Sequence, residues 1–301
     1  MNDPVPVAVP RKGRPLEAVL ERIAAAAGDG RLDEFADRVS NTLRYEKAVT
    51  KGAVDADAGP YERLAEYSDP TASAEPEFTL LRDDRRGKPR RIVFDAATVD
   101  VGDARLALVG REEPFRALRT HEFALGFDSA DLVLEEVVEI RSAGIGGLAD
   151  VNGRIDPVDT DVRVVNGLGD TVYHTLLGDA DRHGPGTAYD RDYLRGYEGP
   201  LCISPRYERL VTAVLGTDAL DGVEFVYPDP DEAEEAAIAR VGLGVYLTVT
   251  GTTAREHRLS VGEHLFPSET VLMRNAAESD DAVDRALRSL GRSEADSEIR
   301  V

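Results

Sequence analysis

The segment Val245-Tyr246-Leu247-Thr248-Val249-Thr250-Gly251-Thr252-Thr253-Ala254-Arg255-Glu256 brings together residue types that suit an anionic phosphate. A β-branched strand runs into Thr-Gly-Thr-Thr and then into residues able to start a helix. At the carboxyl end of a parallel strand, that order exposes successive backbone N–H groups, hydroxyls and a helix start in one place. The same residues also describe a strand ended by a threonine N-cap, which needs no ligand. Thr248, Thr250, Gly251, Thr252 and Thr253 are therefore candidate phosphate contacts, and the segment alone leaves both readings open.

Other chemistry-bearing residues form less specific patterns. His121, His174, His183, His257 and His264 include no pair with the close helical spacing of a zinc site, and they read as surface histidines. Asp179, Asp181, Asp190 and Asp192 crowd one segment that could hold a hard cation, but the terminal glutamate of a calcium loop is missing, and they read as a solvated surface. The single cysteine, Cys202, excludes an intrachain disulfide and a multi-cysteine zinc site; it lies on an expected buried strand and reads as core. No Gly-x-Ser-x-Gly elbow is present.

The elements that must position these residues follow from apolar spacing. Val5–Pro10 reads as a strand, Leu16 to Ala27 as a helix with Pro15 in its first turn and Gly28 after its end, and Arg31 to Ala48 as further helix. Apolar density falls from Thr50 to Pro89, which reads as an insertion ending in the basic run 82–91. Strands are expected at Arg91 to Phe94, Arg105 to Val109, Ala124 to Phe127, Val162 to Val165, Leu201 to Ser204, Val223 to Tyr227, Gly244 to Val249 and Glu269 to Arg274. Helices are expected at Pro114 to Glu122, Arg206 to Leu215, Asp231 to Val241 and Asp280 to Leu290; Asp131 to Ile140 fits either type, and Gly178 to Gly199 reads as a long loop. Strands alternating with helices over 301 residues give an α/β fold of about two domains with mainly parallel sheets.

Charge narrows the solvent more than the partner. The chain carries 36 Lys+Arg against 57 Asp+Glu, a formal charge of −21. Only Lys12, Lys47, Lys51 and Lys88 are lysines, and the acids are spread along the chain. Spread acid with depleted lysine is the composition expected of a haloarchaeal cytoplasm, where a Debye length of about 3 Å in molar salt screens the self-repulsion. An acidic surface repels duplex phosphates, so general nucleic-acid binding is disfavoured; the basic run 82–91 is a local exception that reads as pairing with surface acids. With no run of about 20 apolar residues and no leader-like start, a soluble cytoplasmic protein with no membrane partner is expected.

The order of motifs resembles the ATP phosphoribosyltransferase family, which opens histidine biosynthesis. Val7-Ala8-Val9-Pro10-Arg11-Lys12-Gly13-Arg14 is similar to that family's first strand and lysine-glycine-arginine turn. Leu125-Gly126 to Asp131 follows its leucine-glycine segment, and Ala143-Gly144-Ile145-Gly146 its leucine-glycine-phenylalanine-glycine. Thr250-Gly251-Thr252-Thr253 matches its phosphate loop, and Arg255 to Leu259 and Ser268 to Asn275 resemble the segments after it. The resemblance runs from Val7 to about Asn275, interrupted near 50 to 90 and 155 to 198. It implies a two-lobed, periplasmic-binding-protein-like (type II) fold with a central cleft: 1–140 as lobe I, 141–245 as lobe II, 246–290 returning to lobe I with the phosphate loop, and 291–301 as a frayed tail. It implies phosphoribosyl pyrophosphate (PRPP) with Mg2+ on the loop, Lys12, Gly13 and Arg14 near the other phosphates, a purine nucleotide as acceptor, and the chance of a homo-oligomer. The residues beyond Asn275 are too few for the regulatory domain of the family's long form.

Departures from the family fall at the site. The acids expected before the phosphate loop are Tyr246 and Val249 here, and valine cannot accept a ribose hydroxyl. The family's glycine-serine-x-glutamate element is Pro230-Asp231 followed by Glu232 and Glu234, and Asn and Gly after the loop are His257 and Arg258. Three functions stay open: a divergent phosphoribosyltransferase, a catalytically silent PRPP- or nucleotide-binding sensor or subunit, and a two-lobed protein for an unrelated small ligand. A catalyst would have to recruit carboxylates from elsewhere, for example Glu232, Glu234 or Asp131.

Overall fold

A computed structural model describes residues 3–28, 30–69, 75–81, 91–139, 148–184, 186–229, 232–249 and 251–291. They divide into two compact units. Unit 1 runs to Ser129 and takes in Pro157–Asp170 and the chain from Thr270; unit 2 is Ala130–Asp156 and Thr171–Glu269. This differs from the expected division: 246–269 stays in unit 2, and the return to unit 1 begins at Thr270.

In chain order the strands are β1 Val5–Pro10, β2 Glu77–Leu81, β3 Arg91–Val101, β4 Ala104–Arg111, β5 Leu125–Ser129 and β6 Val162–Gly167, then β7 Val172–Asp179, β8 Gly199–Cys202, β9 Val223–Val226, β10 Leu243–Thr248, β11 Leu259–Ser268 and β12 Thr270–Asn275. Unit 1 holds a seven-stranded sheet in the order β2-β3-β4-β1-β5-β12-β6, and unit 2 a five-stranded sheet in the order β11-β7-β10-β8-β9.

The class is α/β, but both sheets are mixed rather than mainly parallel. β1 is parallel to β4 and β5, and β8 is parallel to β9 and β10, while every other pairing is antiparallel. One cause is a two-residue turn. Val101 pairs with Ala104 across Gly102-Asp103, and Gly102 has φ 56, the left-handed geometry that favours glycine first in a tight hairpin. The short strand expected at Arg91 to Phe94 therefore runs eleven residues and folds straight back.

Helix Gly13–Ala27 buries Leu16, Val19, Leu20 and Ile23, a spacing of three and four that lays one apolar face on the sheet of unit 1. Each such side chain contributes about 1.5–3 kcal/mol by leaving water. Gly28 ends the helix at φ 65, with its N–H on the Ala24 carbonyl. Helix Gly30–Thr50 adds Phe35, Ala36, Val39 and Leu43 to the same core. The apolar-poor segment expected to be a ragged insertion contains helix Pro60–Tyr67 and β2. A buried ion pair does there what apolar contacts do elsewhere: Arg63 donates to both oxygens of Glu46 at 2.7 and 2.8 Å, and Tyr67 donates to Glu46 at 3.0 Å. The Tyr67 hydroxyl is pushed up to about 12 by burial and by that carboxylate.

Unit 2 packs Leu177, Cys202, Ala237, Ile238, Ala254 and Leu259 into its own core. Cys202 is buried as expected, and burial raises its thiol to about 11. Among the described residues no helix is long and apolar enough to cross a membrane.

Candidate functional site

β10 ends at Thr248 in unit 2, and the chain passes through Gly251, at φ 68, into the short helix Thr252–Glu256. The strand–turn–helix expected of a phosphate loop is present, although Thr250 lies outside the described residues. Thr252 and Thr253 are exposed and begin the helix, and the Thr252 hydroxyl accepts from Arg255 Nη2 at 3.4 Å. Five residues carry little helix dipole, and the anion-binding capacity rests on amides, hydroxyls and a cation. That cation is Arg255, which the strand–loop pattern did not single out. Its backbone N–H donates to the Gly251 carbonyl at 3.0 Å, and its Nη1 lies 3.2 Å from where a Cβ on Gly251 would sit. The available signal was its place four residues after the glycine, one helical turn away.

Thr248, a candidate phosphate contact, is buried, and its hydroxyl donates to the carbonyl of Tyr246 at 3.1 Å. Gly251 is itself buried, and a Cβ there would meet Val261 at 2.8 Å. Val249 is 72% exposed and offers the loop no hydrogen-bonding group.

The three candidate carboxylates separate clearly. Asp131 is 2% exposed: its Oδ2 lies 3.1 Å from Nε2 of the buried His174, and its Oδ1 accepts from Ser268 Oγ at 3.2 Å. Burial opposes its ionisation, but His174 with the Tyr207 and Ser268 hydroxyls overcomes that and holds the carboxyl below the usual aspartate range. The His174 ring stacks on Phe266 at 4.4 Å. Asp131 is thus a core group rather than a substrate contact, and His174 is not a surface histidine. Glu232 is clamped by Arg240 at 3.1 and 2.8 Å, and that pairing lowers its carboxyl. Glu234 opens helix Glu234–Val241, which packs on the loop strand β10. Burial raises the Glu234 carboxyl, the neighbouring Tyr246 hydroxyl opposes that rise, and Glu235 adds repulsion. Tyr246, standing where an acid was expected, therefore has an acid close to its hydroxyl.

In unit 1, Lys12, Gly13 and Arg14 join β1 to helix Gly13–Ala27 and line one cavity of about 250 Å³. Gly13 has φ 78, a conformation that favours glycine at this turn. Lys12 Nζ donates to Glu112 at 2.8 Å. Arg14 donates to the Asp170 carbonyl at 2.6 Å and to its carboxylate. The helix N-terminus has no side-chain cap and no acid in its first turn.

The aspartate segment is structural. Asp179 and Asp190 accept from Asp181 N and Tyr193 N at 2.9 and 2.8 Å, capping helices Ala180–His183 and Arg191–Arg195, and Asp192 pairs with Arg195. These helices and their caps replace much of the loop expected there. Among the described residues no group of three His, Cys, Asp or Glu could hold a metal. The basic residues 82–90, the 143–146 motif, Pro230-Asp231 and the tail from 292 lie outside the described residues.

No curated protein matches the chain. Among solved structures it is similar to the ATP phosphoribosyl transferase (HisG:HisZ) complex from Thermotoga maritima, at 14% identity, 95% of this chain and 96% of that one, with a TM-score of 0.44. It is also similar to the periplasmic aliphatic sulphonate binding protein SsuA from Escherichia coli, at 10% identity, 62% and 58% coverage and a TM-score of 0.39. A family model described as halobacterial ATP phosphoribosyltransferase matches residues 1–301. With a glycine-turned strand–helix loop in unit 2 and a lysine-glycine-arginine turn in unit 1, the chain belongs to the halobacterial ATP phosphoribosyltransferase family.

Proposed function

We propose that the chain binds PRPP, with its 5′-phosphate on the loop that ends β10, and transfers the phosphoribosyl group to a purine nucleotide with release of pyrophosphate. The observation that carries this reading is the strand–turn–helix that ends β10, with Glu234 on the helix packed against that same strand. Asp131 is buried in the core and Glu232 is held by Arg240, so of those three carboxylates Glu234 is the best placed to stand in for a lost ribose acid. Loop amides, the Thr252 and Thr253 hydroxyls and Arg255 would hold the 5′-phosphate, and Glu234 would accept from a ribose hydroxyl. In unit 1, Lys12 and Arg14 would be cations for phosphate charge, as the family resemblance implies. Catalysis of this type consists largely of positioning and charge stabilisation, which needs no nucleophile from the protein.

Magnesium, when bound, neutralises phosphate charge. Since no group of three His, Cys, Asp or Glu among the described residues could hold a metal, an ion that arrives on the phosphates and keeps several waters fits better than one held in a cage of acids. A second reading, a silent sensor that binds PRPP or a nucleotide, is favoured by Val249, whose exposed apolar side chain stands where the family places an acid. Calorimetry in molar KCl with PRPP, magnesium and ATP, followed by a pyrophosphate-release assay, separates them. Release confirms the transferase, binding without release across purine acceptors selects the sensor, and absence of PRPP binding refutes both.

A further inference from the structure

The loop that ends β10 has an aromatic border in unit 2 that its hydroxyls and cation do not account for. A Cβ on Gly251 would lie 3.8 Å from Thr248 Cγ2 on β10 and 2.8 Å from Val261 Cγ2 on β11. The strand between those two is β7, so the loop glycine stands over β7. Tyr173 of β7 is opposite Thr248, and Thr175 of β7 is opposite His264 of β11. Opposed residues share a face, as do residues two apart on one strand, so Tyr173, Thr175 and His264 lie on the face that the loop covers.

His264 is the exposed member of this group. Its ring meets that of the half-buried Tyr173 edge to face, with centroids 4.7 Å apart and planes at 75°. Its Nδ1 lies 3.3 Å from Oγ1 of the fully buried Thr175, which fixes the direction of the imidazole. β11 shifts register on both sides of it: three residues pass against two of β7 between Val261 and His264, and two against one between His264 and Phe266. Extra residues of this kind re-aim a side chain and recur beside active sites. Val249, two residues before the glycine, and Val261 add exposed apolar side chains at the same loop.

A ligand that suits both sides of this loop is anionic at one end and flat and apolar at the other. We propose that Tyr173 and His264 form a stacking platform for the ring carried by a phosphorylated sugar, so that the loop prefers a nucleoside 5′-monophosphate to the sugar phosphate alone; this rests on the reading of the loop as a phosphate site and adds the residues that recognise the group at C1′. In the transfer proposed above that ring is the acceptor purine, whose nitrogen bonds C1′ as the C1′–oxygen bond to pyrophosphate breaks. Val249 fits such a neighbour: it cannot hold a ribose hydroxyl, but it borders a ring face without leaving a polar group unpaired. Every base has a π-face, so the platform favours purines over pyrimidines and separates adenine from guanine poorly. Stacking is also insensitive to the screening that molar salt imposes on distant charges.

The test is titration calorimetry in molar KCl on the full chain with ribose 5-phosphate and with adenosine, guanosine and uridine 5′-monophosphates. The two purine nucleotides should bind about tenfold more tightly than ribose 5-phosphate, with the uridine nucleotide between them. His264→Leu and Tyr173→Leu should each weaken adenosine 5′-monophosphate by about fivefold or more and leave ribose 5-phosphate unchanged. His264→Phe, which keeps a ring and loses the Thr175 bond, should restore the nucleotide. The fluorescent etheno analogue of adenosine 5′-monophosphate should be quenched on binding to the wild type and to His264→Phe, but less by His264→Leu; a pair that only packs β11 would not move this signal. If Tyr173→Leu weakens ribose 5-phosphate as well, it has disturbed the loop, and the two His264 variants decide. Equal affinity for ribose 5-phosphate and the purine nucleotides, no effect of His264→Leu, or a His264→Phe no better than His264→Leu overturns the platform and leaves the loop reading intact. Absence of binding by all four compounds overturns both. Platform-dependent nucleotide binding in a protein that releases no pyrophosphate from PRPP upholds the platform and refutes the transferase.

Discussion

Asp131→Asn tests whether the aspartate belongs to the fold of unit 2 or to a ligand site. Asp131 is bonded to His174 and Ser268, both within the protein, with the Tyr207 hydroxyl close by. Asparagine offers one acceptor oxygen and turns the other position into a donor, so at least one buried donor is left facing an N–H. An unsatisfied buried group costs about 1–3 kcal/mol and breaking a buried charged pair about 3–5, against which the removed charge no longer has to be desolvated. A net loss of about 3 kcal/mol follows, or roughly 6–12 °C in Tm for a chain of this class. Urea unfolding in molar KCl measures it, and a cycle with His174→Phe should show coupling of about 1 kcal/mol or more. The pH dependence has a definite sign. A carboxyl held below its ordinary value in the folded state stabilises at pH above the unfolded range, and that stability disappears as pH falls through the folded value. The acid-side step should be missing in Asp131→Asn. A variant within about 0.5 kcal/mol of wild type that has nonetheless lost PRPP binding would refute this reasoning and return Asp131 to the site.

Two further substitutions probe the loop. Gly251→Ala should cost about 1–2 kcal/mol from its left-handed backbone, and Gly251→Val more, because φ 68 is strained for a branched side chain and Val261 stands 2.8 Å from the new Cβ. PRPP affinity should fall with loop stability in both, as read by calorimetry alongside melting; unchanged binding in Gly251→Val would show that phosphate sits elsewhere. Glu234→Gln should weaken PRPP binding by about ten- to a hundredfold with little change in Tm. Since burial raises the Glu234 carboxyl, wild-type affinity should decline on acidification above the usual glutamate range, and that decline should vanish in the variant.

What was legible in the sequence was local. The spacing of Leu16, Val19, Leu20 and Ile23 marked a helix, and the run from Val245 to Glu256 marked a strand, a turn and a helix, because neighbours in sequence supply those signals. β11 was missed for a physical reason. It carries Gly262 and Pro267 and shifts register on both sides of His264, so its period of two is broken. β7 pairs with β11 and went with it. The burial of His174 depends on Asp131, 43 residues away, and no single-chain pattern reports that partner. The carboxylates are similar: nothing local in the sequence reports that Asp131 is bonded to His174 and Ser268 or that Glu232 is held by Arg240.

Arg14 shows why the cations of this site are not interchangeable as probes. Its guanidinium bonds the carbonyl and carboxylate of Asp170, the residue at which the chain leaves unit 1, and the same carboxylate accepts from Thr270 N at 2.7 Å and Thr270 Oγ1 at 2.8 Å, where the chain returns. Removing Arg14 therefore takes away the charge proposed to face phosphate and also leaves the Asp170 carboxylate short of a donor. A loss of activity in such a variant would not distinguish the two effects. Lys47 projects into the same cavity from a helix outside those crossings, so its charge can be removed while Asp170 keeps its partners. In a protein of net charge −21, the informative cation is the one that the fold does not also use to hold its own acids.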